Sequence, residues 1–159
     1  MQWLDLERLG YNYRMDELSA AVGLAQIERI NFLISERRKI AGWYNKFLSR
    51  YPKLVQIPQI AKGNTHTWFV YVALLKNKKI DRDNLITSLA VEGISTKPYL
   101  PSIHLFSFYK KMFGYKKGDF PISELVSNKG IALPFYIGLK ESDVKYICQK
   151  LIDSIEAKA

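Results

Sequence analysis

The chain has 159 residues, 48% of them hydrophobic and 25% charged, which is the composition of an ordinary globular protein and not of a disordered segment. Its net charge is +9, from 24 Lys and Arg against 15 Asp and Glu, but the basic residues occur in groups of no more than three and form no arm for nucleic acid. The single cysteine excludes an internal disulfide, the N-terminus lacks the pattern of a signal peptide, and the apolar run at residues 68–75 is too short to cross a bilayer.

The first predicted feature is a turn that leads into a helix. Gly10 allows the backbone to bend, and the polar residues Asn12 and Arg14 follow within an aromatic stretch. Asp16 and the acidic residue after it suit a helix start, where free N–H groups and the helix dipole favour negative charge. Polar groups beside a helix start can form an anion site. The alternative is a capped turn in which Arg14 makes a surface salt bridge.

The next element is a long amphipathic helix. Apolar residues recur at spacings of three, four and seven across residues 16–49. At about 1.5 Å per residue, an unbroken helix would be about 50 Å long, so we expect a break near Asn31. Small residues cluster at 19–25, where they would let a second subunit or another part of the protein approach closely. A tightly packed helix explains the same cluster.

The remainder of the chain alternates between strand and helix patterns. Pro52 ends the long helix, because proline cannot donate a backbone hydrogen bond. The later pattern predicts strands at 67–75, 94–97 and 131–134, and helices at 82–91, 106–115, 122–129 and 141–157. Three short strands with helices on one side predict an α+β fold with a mostly antiparallel sheet.

Two groups of apolar residues in this part are predicted to be core. Cys148 shares a helical stripe with neighbouring aliphatic residues, so we interpret it as a small buried side chain. The aromatic residues of the predicted helix at 106–115 have a spacing that is more typical of core than of a platform for stacking bases.

Several stretches resemble one protein family. The sequence GYNYRMDELSAAVGLAQIERI, residues 10–30, resembles the segment after the catalytic lysine in the DegT/DnrJ/EryC1/StrS family of pyridoxal-phosphate (PLP) enzymes, mostly aminotransferases of nucleotide-linked keto sugars. The resemblance continues in HTWFVYV at 66–72, GISTKPYLPSIH at 93–104, GDFP at 118–121 and LPFY at 133–136. One departure is Ile137, where the family often has proline.

The resemblance implies a fold and a domain organisation. It implies the C-terminal part of a PLP aminotransferase, in which residues 1–50 join an absent large domain and residues 51–159 form a small α+β domain. The family's catalytic lysine precedes the matched segment. Lys97, beside Pro98 where the irregular loop begins, is the least exposed-looking lysine that remains, and we do not expect it to hold PLP, because such a lysine must be desolvated.

The resemblance also implies roles for individual residues. The residue matching Asn12 reaches across a dimer interface to the PLP phosphate of the neighbouring subunit, and Arg14 is suited to bind an anionic part of the substrate. Tyr99 and His104 lie on the loop that resembles the sugar-nucleotide side of the pocket. A hydrogen-bonded structural role is an equal alternative for His104, and we interpret His66 as structural.

The functional hypothesis is therefore a fragment of a PLP-dependent nucleotide-sugar aminotransferase. The parent reaction would transfer an amino group, from glutamate, to a nucleotide-linked keto sugar for polysaccharide biosynthesis. We expect a cytoplasmic homodimer without metal, nucleic acid or membrane partners, and an isolated chain that is inactive and binds no PLP. Two alternatives remain: a basic, aromatic-rich module that binds nucleic acid, and a non-catalytic subunit that pairs with a separate catalytic half.

Overall fold

The computed structural model describes residues 8–77 and 79–157. Their helices are α1 (Glu17–Glu28), α2 (Ile30–Leu48), α3 (Arg82–Val91), α4 (Ser107–Phe113), α5 (Pro121–Lys129) and α6 (Glu141–Glu156), with a 3₁₀ helix at Ile103–Leu105. Their strands are β1 (Val55–Gln56), β2 (Tyr71–Leu75), β3 (Lys97–Pro98) and β4 (Gly130–Leu133). This composition confirms the predicted α+β class.

The chain divides into two compact units, one up to Phe32 and one from Leu33 onward. In the first unit, the Asp16 side chain caps α1 by accepting the Ser19 N–H at 2.8 Å. The predicted break of the long helix is confirmed, but it lies at Arg29, which has non-helical dihedral angles. From Leu33 onward, which is most of its length, α2 belongs to the second unit. The division after residue 50 stays a prediction.

The second unit contains an antiparallel sheet with the strand order β1-β2-β4-β3. Tyr71 pairs with Leu133, Ala73 with Ile131, and β3 pairs with the outer side of β4. The sequence pattern missed β1 because a two-residue strand is too short to show a period of two. The observed β3 and β4 lie within three residues of their predicted positions.

β2 begins four residues later than predicted. Trp68 has a φ of 54°, in the left-handed region, so the chain cannot be a regular strand there. The turn is held locally, because Nδ1 of His66 accepts the Trp68 N–H at 2.8 Å. The apolar run 67–75 therefore contains a turn and then a strand.

The core of the second unit lies on one face of the sheet. Alternate residues of β2, namely Tyr71, Ala73 and Leu75, are buried against helices α2, α3 and α6. The helical residues of this core include Ile40, Tyr44, Leu48, Leu85, Leu89, Val144, Cys148, Leu151, Ile152 and Ile155. The prediction that Cys148 is a core residue is confirmed.

The aromatic cluster of α4 is not core, and that prediction is wrong. No residue of α4 is buried, and Phe108 and Phe113 are 62% and 54% exposed. Instead the rings contact one another at the surface, with Tyr109 stacked on Phe113 at 6.1 Å between centroids. Aromatic content and spacing alone do not distinguish a buried cluster from a cluster that lines a cleft.

Candidate functional site

The N-terminal turn presents Asn12 and Arg14 at the surface. Both side chains are exposed, and within the described residues neither has a hydrogen-bond or ion-pair partner. Arg14 has a φ of 40°, which is uncommon for a residue other than glycine. Tyr11 and Tyr13 flank Asn12 with ring centroids 5.8 Å apart. The turn thus holds two unpaired polar groups, and their roles remain predictions.

The loop that carries Tyr99 and His104 forms a wall of a cleft in the second unit. The cleft has a volume of about 610 Å³. Ligand sites of this size are typically apolar and aromatic, with a few polar groups that fix orientation. Its lining includes Tyr99, Leu100, Pro101, Ile103, His104, Tyr109, Phe113, Tyr115, Phe120, Ile122, Ser123, Val126 and Ser127. We call it the aromatic cleft. The structure therefore brings two of the predicted site residues to one cavity.

His104 is held within this wall by a buried carboxylate. Its Nε2 lies 3.0 Å from Oε1 of Glu124, and both residues are only 8% exposed. The same Oε1 accepts the backbone N–H of Gly118 at 2.7 Å. The Phe120 ring covers the imidazole at 4.8 Å between centroids. Glu124 therefore connects the loop, the turn before α5 and α5 itself.

The hydrogen bonds keep Glu124 ionised. Its pKa is lowered mainly by the N–H of Gly118 and further by His104, while burial acts in the opposite direction. The first turn of α5 also favours negative charge. Sequence reasoning missed Glu124, although it follows the GDFP stretch within a predicted helix. The sequence pattern could not show that Glu124 contacts His104, which lies 20 residues earlier in the chain.

Tyr99 also lines a neighbouring cleft of about 530 Å³. That cleft lies over the second face of β2, at Val72 and Leu74, and Trp68 also lines it. The exposed His66 lines it too, with its ring 4.3 Å from that of Trp68. Tyr99 thus stands between the two clefts. The hydrogen bond from Trp68 to His66 is the kind of local contact that a structural histidine makes.

The described part of the chain offers no lysine suited to hold PLP. Lys97 is exposed, which removes the desolvation that a nucleophilic lysine requires. The half-buried lysines are already engaged: Lys129 donates to the Ile80 carbonyl at 2.7 Å, and Lys150 lies 2.7 Å from Glu92. Within the same residues there is no cluster of side chains able to hold a metal, and no helix is long and apolar enough to cross a membrane.

These features define the class of the protein as a small α+β domain with an aromatic cleft, preceded in the sequence by an exposed helix. The chain belongs to the DegT/DnrJ/EryC1/StrS aminotransferase family, whose sequence profile matches residues 1–152. The resemblance in the sequence is thereby confirmed.

The chain is similar to several members of this family. It is 35% identical to GDP-perosamine synthase of Vibrio cholerae over 92% of its own length and 38% of that relative. It is 31% identical to the spore coat polysaccharide biosynthesis protein SpsC of Bacillus subtilis over 97% of its length and 40% of that relative. The chain thus spans about 40% of the curated relatives it matches, which fits the C-terminal portion that the resemblance implies.

Solved structures share the fold. A DegT/DnrJ/EryC1/StrS aminotransferase from Brucella abortus matches with a TM-score of 0.75 and 30% identity, over 95% of this chain and 39% of that one. Helicobacter pylori PseC, an aminotransferase of pseudoaminic acid biosynthesis, matches with a TM-score of 0.80 and 21% identity, over 96% of this chain and 41% of that one. At 21% identity, the similarity to PseC shows a shared fold alone.

Proposed function

We propose that this chain is the substrate-recognition part of a PLP-dependent nucleotide-sugar aminotransferase. The observation that carries the proposal is the aromatic cleft, built by the loop of Tyr99 and His104 in a member of this family. The full-length reaction would move an amino group, from glutamate, to a nucleotide-linked keto sugar used in polysaccharide synthesis. PLP would act as the electron sink for that transfer.

Within this proposal, residues of this chain bind the cofactor phosphate and the substrate and orient them. The exposed amide of Asn12 would donate to the phosphate of PLP in a neighbouring subunit, and the Arg14 guanidinium would pair with an anionic part of the substrate. Tyr99 and His104 would contact the nucleotide sugar in the aromatic cleft. The net charge of +9 favours the approach of a diphosphate. A homodimer in the cytoplasm is part of the same proposal.

The cleft can be tested with nucleotides. GDP, UDP and dTDP should be titrated into the isotope-labelled chain while amide and aromatic NMR signals are recorded. A nucleotide that fits should shift signals of the cleft, and Tyr99→Ala should weaken that response several-fold. Tyr146→Ala, on α6 and outside this cleft, is the matched control. Shifts spread evenly over the basic surface, without a response at the cleft, would contradict the proposed recognition role.

The isolated chain should neither hold PLP covalently nor transaminate, because each described lysine is either exposed or, like Lys129 and Lys150, half-buried and already engaged. Titration with PLP, followed by borohydride reduction and intact-mass measurement, should give no stoichiometric adduct. An adduct on one lysine would show that the chain carries its own cofactor site, and the fragment proposal would have to be abandoned.

A further inference from the structure

Glu124 accepts two hydrogen bonds with one oxygen. Its Oε1 lies 2.7 Å from the Gly118 nitrogen and 3.0 Å from Nε2 of His104. A backbone N–H can only donate, so Oε1 must act as an acceptor. An ionised carboxylate has no hydrogen to give, and the lowered pKa of Glu124 agrees with that state. The hydrogen between the two side chains is therefore carried by Nε2.

This arrangement determines what the other ring nitrogen can do. In a neutral imidazole that carries its hydrogen on Nε2, Nδ1 has a free lone pair and accepts hydrogen bonds. Within the described residues, no hydrogen bond reaches Nδ1 of His104. Nδ1 of His104 is also accessible from outside. In the described part of the chain, Oγ1 of Thr96 is the fully buried side-chain nitrogen or oxygen atom that lacks a hydrogen-bond partner, so Nδ1, which also lacks one, is not fully buried. The imidazole lines the aromatic cleft.

We propose that Glu124 is a positioning residue that fixes His104 in the Nε2–H form, so that Nδ1 serves as a hydrogen-bond acceptor for a ligand in the aromatic cleft. The ligand group would be a donor, such as a sugar hydroxyl or a base N–H. The assignment of this donor group to a nucleotide sugar rests on the proposed function. The state of the imidazole rests only on the geometry of Glu124.

The surrounding contacts support a positioning role. Phe120 and Tyr115 line the cleft and also contact the His104 ring, at 4.8 and 6.4 Å between centroids. Ser102, two residues before His104, lies with its Oγ 3.4 Å from Oγ of Ser123 on α5. Loss of the carboxylate acceptor would remove the shared partner of the Gly118 N–H and the imidazole, while these other contacts would still hold the loop.

The test is long-range ¹H–¹⁵N NMR of the His104 ring in the 159-residue chain, with the neutral form read at the alkaline end of a pH series. We expect the hydrogen on Nε2 in the wild type. Glu124→Gln keeps an acceptor oxygen without the charge, and Glu124→Met removes the acceptor at similar size. The Nε2 proton and the Gly118 amide proton should both move upfield, less in Glu124→Gln than in Glu124→Met, because they share one oxygen.

Two results would overturn the proposal. One is a neutral wild-type imidazole that carries its hydrogen on Nδ1, which decides the matter even where a variant fails to fold. The other is a folded Glu124→Met chain whose Nε2 and Gly118 proton shifts match the wild type. Titration of the same samples with GDP, UDP and dTDP separates the two proposals. No response to any of the three at Nδ1 or elsewhere in the cleft contradicts the recognition role and leaves the positioning of His104 standing.

Discussion

The ring of Tyr44 stacks on the ring of Tyr71, with centroids 4.6 Å apart and planes inclined by 24°. The two phenols anchor α2 to the sheet, and each is bonded: the Tyr44 hydroxyl donates to the Pro134 carbonyl at 2.6 Å, and the Tyr71 hydroxyl donates to Oδ1 of Asn45 at 2.7 Å. Burial raises the pKa of both phenols, so they remain protonated donors.

Removal of the Tyr44 hydroxyl should destabilise the fold. Tyr44→Phe keeps the stacked ring but leaves the Pro134 carbonyl without its donor, which should lower the free energy of unfolding by about 1–2 kcal/mol. Tyr11→Phe, at a position 86% exposed, should change it by less than about 0.5 kcal/mol. Urea unfolding followed by circular dichroism measures both. Equal stabilities of the two variants would contradict the role of this hydrogen bond.

Cys148 should be chemically inert in the folded chain. Burial raises the pKa of its thiol to about 12, so at mildly alkaline pH the reactive thiolate is scarce, and the 3%-exposed side chain is also shielded. We expect slow reaction with a thiol reagent in buffer and rapid, stoichiometric reaction in denaturant. Because Cys148 is the single cysteine, the signal has one source, and Cys148→Ser gives the blank. Rapid labelling of the native chain would show that α6 does not protect it.

The buried carboxylate of Glu124 should make stability depend on pH in a defined direction. The pKa of Glu124 is lower in the folded chain than its ordinary value of 4.5, so its contribution is fully present above that value and is lost as the pH falls through the lowered pKa. The melting temperature of Glu124→Gln should lie below that of the wild type at neutral pH, and the gap should close under acid. Glu156→Gln, at an exposed end of α6, is the control. A gap that persists unchanged in acid would contradict the assignment.

α1 should mediate self-association. None of its residues is buried, although Leu18, Val22 and Ile27 are apolar and 77%, 57% and 65% exposed. Burial of one such side chain is worth about 1.5–3 kcal/mol, so Val22→Glu should weaken association about tenfold or more. Gln26→Glu is the control, because it adds the same charge to the same helix at a position that is already polar. Sedimentation at several concentrations compares them, and a wild type that is monomeric throughout would contradict the proposed homodimer.

The sequence by itself determined the family, the α+β class and the positions of the helices. These properties depend on residues close together in the chain: an apolar stripe along α6, the cap at Asp16, and motifs of a few residues such as GDFP. Local signals also gave the break in the long helix to within two residues. They placed Tyr99 and His104 on one loop, and the structure adds that this loop lines a cleft.

Only the tertiary structure decided which side chains meet and which are exposed. The late start of β2 depends on a left-handed Trp68 inside an apolar run that reads as continuous strand. Tyr109 and Phe113 of α4 line a cleft because of what packs around them, which their spacing does not encode. Glu124 and His104 are 20 residues apart, and a hydrogen bond of 3.0 Å between them exists because the turn at Gly118 brings α5 back to the loop. Sequence periodicity indicates the local conformation, whereas the contact between Glu124 and His104 depends on how distant segments of the chain pack together.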